Sequence, residues 1–248
     1  MTTTASDRQA AYTGHLARYR TGLWRAPMFF EMVAADVQPG STVVDIGCGH
    51  GFDGSDELQA KLAAMTGRFI GIEPDTEIAL GAHFTETHRA LFHQAPLADA
   101  SVDLAYAIMV LEHVPDPAGF FRKLHRVLKP GGVFWGLTVD RRHYFCTISR
   151  WMDQLNLKSL YLNVTQGKRG EERYENYPVY YRCNAPEDFE QTASQFASRE
   201  IFNFSREGMV DSYLPAPLRP VSHWFDRRRV AAGLPGTLLA VRMQKADG

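Results

Sequence analysis

The chain has 248 residues, 45% of them hydrophobic, with 27 basic side chains against 28 acidic ones. That length and apolar content suffice for one large α/β domain or two small ones, and the near balance of charge excludes a global field that would gather nucleic acid or an anionic membrane. Three well-separated cysteines, Cys48, Cys146 and Cys183, lack metal-ligand spacing, the first residues are polar, and no window approaches the roughly 20 apolar residues of a membrane span; the expectation is reduced thiols in a soluble, cytoplasmic protein.

Residues 7–37 read as two helices, a polar one through Tyr19 and an apolar one from Pro27 to Val37 that stops before Gln-Pro-Gly. Tyr12, Arg18, Tyr19, Arg20 and Trp24 suit a lid with an arginine over a carboxylate, or an ordinary amphipathic helix. A short strand over 41–46 then runs into Val43-Val-Asp-Ile-Gly-Cys-Gly-His-Gly51. Glycines there allow positive φ and close approach of bare backbone to a ligand, so the turn is a ligand site before it is a fold label. A dinucleotide turn would read Gly-x-Gly-x-x-Gly with a pyrophosphate on the helix N-terminus. Here Gly47, Gly49 and Gly51 alternate, Asp45 precedes them, and His50, Asp53 and Asp56 follow. Carboxylates at that mouth repel a pyrophosphate and suit a cofactor that carries an amine and a sulfonium, which favours S-adenosylmethionine.

Helices are expected over 54–65, 76–84 and 117–128, and strands over 68–73, 88–92, 102–108 and 132–138. Asp116-Pro117 supplies an N-cap acid and an N1 proline for the third helix, whose Phe120, Phe121, Leu124, Val127 and Leu128 make one buried face. Asn184-Ala-Pro-Glu-Asp-Phe starts another helix, running to about Ala197, before strands at Arg199–Phe204 and Thr237–Gln244. Alternating β and α elements argue for a parallel sheet covered on both faces. Residues 140–183 and 205–235 exceed that plan, and connections of such length are usually functional or carry structure of their own. The first holds a helix over Thr147–Leu162, a charged loop from Gly167 to Arg173, and an aromatic run from Tyr174 to Tyr181.

The glycine turn, the strand Arg68–Glu73 ending in an acid, the Pro96–Asp103 segment and the run Leu104–Val114 occur in the order of the class I S-adenosylmethionine-dependent methyltransferases, small-molecule type, and residues 40–140 resemble that family. The resemblance implies a Rossmann-like three-layer α/β sandwich: a seven-stranded, mostly parallel sheet whose antiparallel last strand inserts between strands five and six. It implies one domain over 1–248, with 1–39 as an N-terminal helical lid and 140–183 and 205–235 on the acceptor side. It further implies a cofactor set of Asp45, Gly47, Cys48, Gly49, Gly51, Glu73 as ribose ligand, Pro74 and Ala107. Leu91 stands where relatives place an acid for the adenine amine, so Phe92, His93 or Gln94 is expected to serve instead, through stacking and backbone N–H groups.

Methyl transfer to oxygen needs alignment and a base. His113, after strand four, is the leading candidate, unless it and Glu112 only cap the next element. His143 and Tyr144, beside Arg141 and Arg142, form a second cluster, with a solvated basic turn as the alternative. Tyr180 and Arg182, with Tyr174, Tyr177 and Tyr181, are candidates for acceptor binding or for packing the insertion. No metal is expected: strand four does not end in the aspartate of metal-assisted catechol methylation, and His223 adjoins Trp224 rather than another ligand. The absence of an Asn/Asp-Pro-Pro-Tyr/Phe signature argues against amino-directed nucleic-acid methylation. The reading is O-methylation of a small molecule, a saccharide or secondary metabolite, with S-adenosylhomocysteine as product. N- or C-methylation and a non-catalytic cofactor-binding protein are the alternatives, a dinucleotide oxidoreductase is disfavoured, and the oligomeric state is left open.

Overall fold

The computed structural model describes residues 4–155 and 178–248. Thr4 and Asp7 form a capping box that starts α1 (Ala5–Arg20), and the apolar stretch after Trp24 forms α2 (Arg25–Ala34), which buries Met28, Phe29, Phe30, Met32 and Val33. The remaining elements are β1 (Thr42–Ile46), α3 (Asp56–Ala63), β2 (Arg68–Ile72), β3 (Glu86–His88), β4 (Val102–Ile108), α4 (Pro117–Val127), β5 (Leu128–Val139), α5 (Tyr144–Gln154), α6 (Pro186–Thr192), β6 (Ser198–Phe204), α7 (Arg219–Ala231) and β7 (Leu238–Gln244).

The strands form one sheet in the order β3-β2-β1-β4-β5-β7-β6, with β7 antiparallel to both neighbours and the other pairs parallel. This is the expected sheet, including the insertion of the last strand. Alternate residues of each strand enter opposite cores. Val44, Ile70, Ala105, Phe134 and Val241 pack with α4 and α6, while Val43, Phe69, Leu104, Trp135 and Ala240 pack with α1, α2 and α3. Asp116 caps α4 by accepting from Gly119 N, Pro117 takes the first turn, and Phe120, Phe121, Leu124 and Val127 are buried as the spacing predicts.

The expected helix over 76–84 is absent, a correction with a local cause. Asp75 Oδ1 accepts from Glu77 N at 2.8 Å, and Arg89 donates to the carbonyls of Asp75 and Ile78, so side chains satisfy backbone groups that a helix would have paired. Phe84 stacks on Phe69, with centroids 4.9 Å apart, and covers that part of the sheet itself. Consequently β3 spans 86–88 rather than 88–92. Likewise α6 ends at Thr192, not near Ala197, and α5 begins at Tyr144 rather than Thr147; the rest of that predicted helix and the charged loop lie outside the described residues. Among the described residues no helix is long and apolar enough to cross a membrane.

Candidate active site

β1 and β4 are the point at which chain order along the sheet reverses, and the crevice beyond their C-terminal ends is where open α/β sheets bind ligands. After Ile46 the chain turns through Gly47 (φ +79°), a 3-10 turn at Cys48–His50, and Gly51 (φ +68°). A Cβ on Gly47 would stand 2.5 Å from Val110 Cγ2, and one on Gly49 would stand 2.7 Å from Glu73 Oε2. Both positions therefore demand glycine, for conformation at the first and close approach at the second.

Glu73, at the end of β2, is 5% exposed, and its carboxylate accepts from Gly49 N at 3.0 Å and from Asp75 N at 2.9 Å. The two predicted cofactor elements thus meet directly. Asp45 lies elsewhere than at the open mouth. It is buried, and its Oδ2 accepts from Gln59 Nε2 at 2.7 Å and the Tyr106 hydroxyl at 2.5 Å, while Gln59 also donates to the Cys48 carbonyl and holds His83 through Oε1. Burial pushes the Asp45 carboxyl up to about 7 despite these hydrogen bonds. Asp45 and Gln59 form a strut behind the glycine turn. Gln59 was missed in the sequence, although a polar residue three positions before the buried Leu62 of an amphipathic helix is a readable signal.

Cys48 is buried with its thiol pushed up by desolvation, in keeping with a space-filling role. Pro74 follows the Glu73 carboxylate, and Ala107 is fully buried in β4 opposite Ile46. Phe92 points into the core, 4.9 Å from Phe120, with the Lys123 ammonium over its ring; this packing leaves no open stacking face. His93 and Gln94 are exposed on the same segment.

Beyond β4, Met109 takes a positive φ of 56° and donates to Leu137 O at 2.7 Å, just before the 3-10 turn Leu111–His113. Glu112 in that turn is buried, accepts from Thr138 Oγ1 at 2.9 Å, and has its carboxyl raised by desolvation. Asn184 continues the chain by donating to Thr138 Oγ1 at 2.6 Å. The Glu112 carbonyl accepts from Tyr180 N and Tyr181 N, and His113 Nδ1 lies 3.1 Å from Pro178 O, so the returning end of the first insertion is fastened beside the leading base candidate.

His143 is 3% exposed, and burial reinforced by the Arg229 charge drops it to about 3, leaving a neutral imidazole that accepts from Phe145 N. Tyr144 donates to Asp226 Oδ1 at 2.9 Å, and burial raises its phenol to about 12. Both are therefore weak proton acceptors. Arg141 pairs with Asp188 and Glu187, and Arg142 forks onto Asp140, which ties the basic turn to α6 and to its own backbone. Arg182 donates to Pro115 O, and its guanidinium lies 5.4 Å from the ring of Tyr180, which is 38% exposed. Tyr174 and Tyr177 lie outside the described residues.

The N-terminal helix packs on β6 and α2: Tyr12 donates to Asn203 O, Arg18 pairs with Glu31, and Arg20 reaches Ser205. The arginine that reaches the glycine turn is Arg25, which forks onto Asp53 at 2.7 and 2.8 Å; Asp53 itself holds a φ of 52°. The sequence carried no signal for that pair. His223 pairs with Asp211, and among the described residues no cluster of three or more His, Cys, Asp or Glu could hold a metal.

The two insertions meet. Between α5 and the segment 210–225 lies a cavity of about 360 Å³ lined by Tyr144, Phe145, Ile148, Val210, Leu214 and Phe225 among others.

Residues 44–136 match the family model described as a methyltransferase domain. A cycloartenol-C-24-methyltransferase of Oryza sativa subsp. japonica is 33% identical over 52% of this chain and 40% of its own length. A ubiquinone biosynthesis O-methyltransferase of Pseudomonas paraeruginosa is 34% identical over 41% of the chain and 46% of its own. The chain thus spans less than half the length of these curated relatives. A Thermotoga maritima structure described as a methyltransferase, possibly acting on histamine nitrogen, superposes over 96% of this chain and 90% of its own with a TM-score of 0.54 at 16% identity, a likeness of fold. Residues 44–136 are thus similar to a methyltransferase domain, and the chain as a whole shares the fold of the superposed structure.

Proposed function

We propose that the protein transfers a methyl group from S-adenosylmethionine to a hydroxyl of a small molecule. The observation that carries the reading is the cradle in which Gly49 N–H meets the Glu73 carboxylate at 3.0 Å, with no room for a side chain on either Gly47 or Gly49. A bare turn beside a carboxylate fits a ribose diol at the acid and an amine and sulfonium along the backbone. The residues that would hold the cofactor are Gly47, Gly49, Gly51, Glu73 and Pro74, with Asp45 and Ala107 behind them and backbone near His93 and Gln94 at the adenine. When bound, S-adenosylmethionine supplies a methyl group activated by its sulfonium.

The chain's own work is alignment and proton removal. His113 accepts the hydroxyl proton in this reading, and the Glu112–Thr138–Asn184 chain fixes the turn that carries it. His143 and Tyr144 serve as walls, since neither is a competent base at neutral pH in its present surroundings. Tyr180 and Arg182 border the acceptor route beside His113. The apolar cavity supports a secondary metabolite over a saccharide, and relatives named for both O- and C-methylation support a small-molecule acceptor.

Calorimetric titration with S-adenosylmethionine and S-adenosylhomocysteine, with NADH and NADPH as controls, tests the proposal. Saturable binding of the sulfur cofactors alone is expected; selective dinucleotide binding overturns it.

A further inference from the structure

We propose that the cavity between α5 and α7 receives the apolar portion of the methyl acceptor, making the substrate a lipophilic small molecule whose hydroxyl sits at one end. This rests on the methyl-transfer reading above and deepens it.

The lining is the first argument. One wall is Phe145, Ile148 and Met152 of α5, the other Leu214, Val221 and Phe225, and Val210, 2% exposed, also lines it. Two of the polar lining groups are already engaged: the Tyr144 hydroxyl donates to Asp226, outside the lining, and lies 3.3 Å from Ser222 Oγ. What faces the space is carbon, and no donor array is presented to a sugar. Buried apolar area is the dominant source of affinity for such an occupant.

Size and opening are the second. About 360 Å³ falls within the range of roughly 300–1,000 Å³ typical of small-molecule sites. Its rim exposes Ile148 at 53% and Trp224 at 49%, large apolar side chains for which water is a poor neighbour.

Continuity with the reacting edge is the third. Tyr144 lines the cavity and directly follows His143, where the chain leaves the C-terminal end of β5. A molecule lying along α5 therefore has one end toward the end of β5, where Thr138 donates to Glu112 of the turn after β4, and its apolar remainder between the two insertions.

The test uses N-phenyl-1-naphthylamine, an uncharged dye that fluoresces in apolar sites, displaced by a series of n-alkanols from hexanol to dodecanol. One saturable dye site is expected, with displacement tightening about fourfold per added methylene, from ~0.8 kcal/mol per buried CH₂. Leu214→Asp should weaken dye and alkanol binding at least tenfold while S-adenosylhomocysteine affinity, measured by calorimetry, stays at the wild-type value. Ile148→Asp, at an exposed rim position, repeats the test should Leu214→Asp lower the melting temperature sharply. Non-saturable dye uptake, displacement independent of chain length, or dye affinity unmoved by both substitutions would overturn the proposal. So would a wild-type dimer by light scattering that excludes the dye and dissociates on Ile148→Asp, since a second copy would then occupy the face. Loss of cofactor binding with the dye site intact would instead sink the methyltransferase reading.

Discussion

Asp45 is an acid whose work is done out of solvent. Its carboxyl is raised to about 7, so the unfolded chain releases this proton near its ordinary value of 3.8 while the folded chain keeps it. The folded state therefore binds more protons between about pH 4 and 7, and the Asp45 contribution to stability falls as pH rises through that window and is level above it. Asp45→Asn should remove that part of the slope; urea denaturation at pH 4.5 and 7.5 measures it, and an unchanged difference between wild type and variant at the two pH values would refute the assignment. At the cradle, Gly49→Arg drives a side chain into Glu73, and Glu73→Ala deletes the proposed ribose ligand. Each should cost S-adenosylhomocysteine affinity at least tenfold by calorimetry, and wild-type affinity in both would remove the site. His113→Ala should retain cofactor affinity while lowering turnover by roughly 10²-fold or more, as loss of a general base does.

Elements are joined at the site by a few polar contacts with high stakes. Arg25, at the start of α2, forks onto Asp53, whose side chain is only 5% exposed. Arg25→Ala leaves that carboxylate without its partner and should destabilise by about 3 kcal/mol, with part of the loss recovered in the Arg25→Ala, Asp53→Ala double variant. Strict additivity in urea melts would show that the pair is not coupled. The missing helix over 76–84 teaches a related point: the order of elements suggested it, but Asp75, Phe84 and Arg89, within or beside the segment itself, offer the backbone and the sheet other partners.

For the whole molecule, Arg242 is the polar knot. It is 3% exposed on β7 and binds Asp36 after α2 and Glu200 on β6, while Trp135 Nε1 donates to the same Asp36 and Arg8 of α1 binds the same Glu200. One guanidinium thus ties both ends of the chain to the centre of the sheet. Arg242→Ala should cost about 3–5 kcal/mol in chemical denaturation, because two acids lose a buried partner, whereas Arg8→Ala at the more open end should cost about 1 kcal/mol or less. Equal losses from the two would mean that the network does not transmit burial into stability.

The sequence by itself determined the alternation of strands and helices, the glycine turn, the acid after β2 and the capped amphipathic α4. Each rests on local chemistry: positive φ, an N-cap, apolar period. Tertiary structure decided which polar groups face solvent and which face each other. Asp45 became a buried strut, Phe92 became core, and Arg141 and Arg142 became ion-pair partners. Arg25 arrived at the glycine turn from a helix with no motif, and two insertions separated in sequence by α6 and β6 closed on one apolar cavity. The physical reason is common to all of these. Burial and partner identity are properties of chain segments brought together by the sheet, and even Asp140, the neighbour in sequence that Arg142 forks onto, is also held by Asn203 of β6.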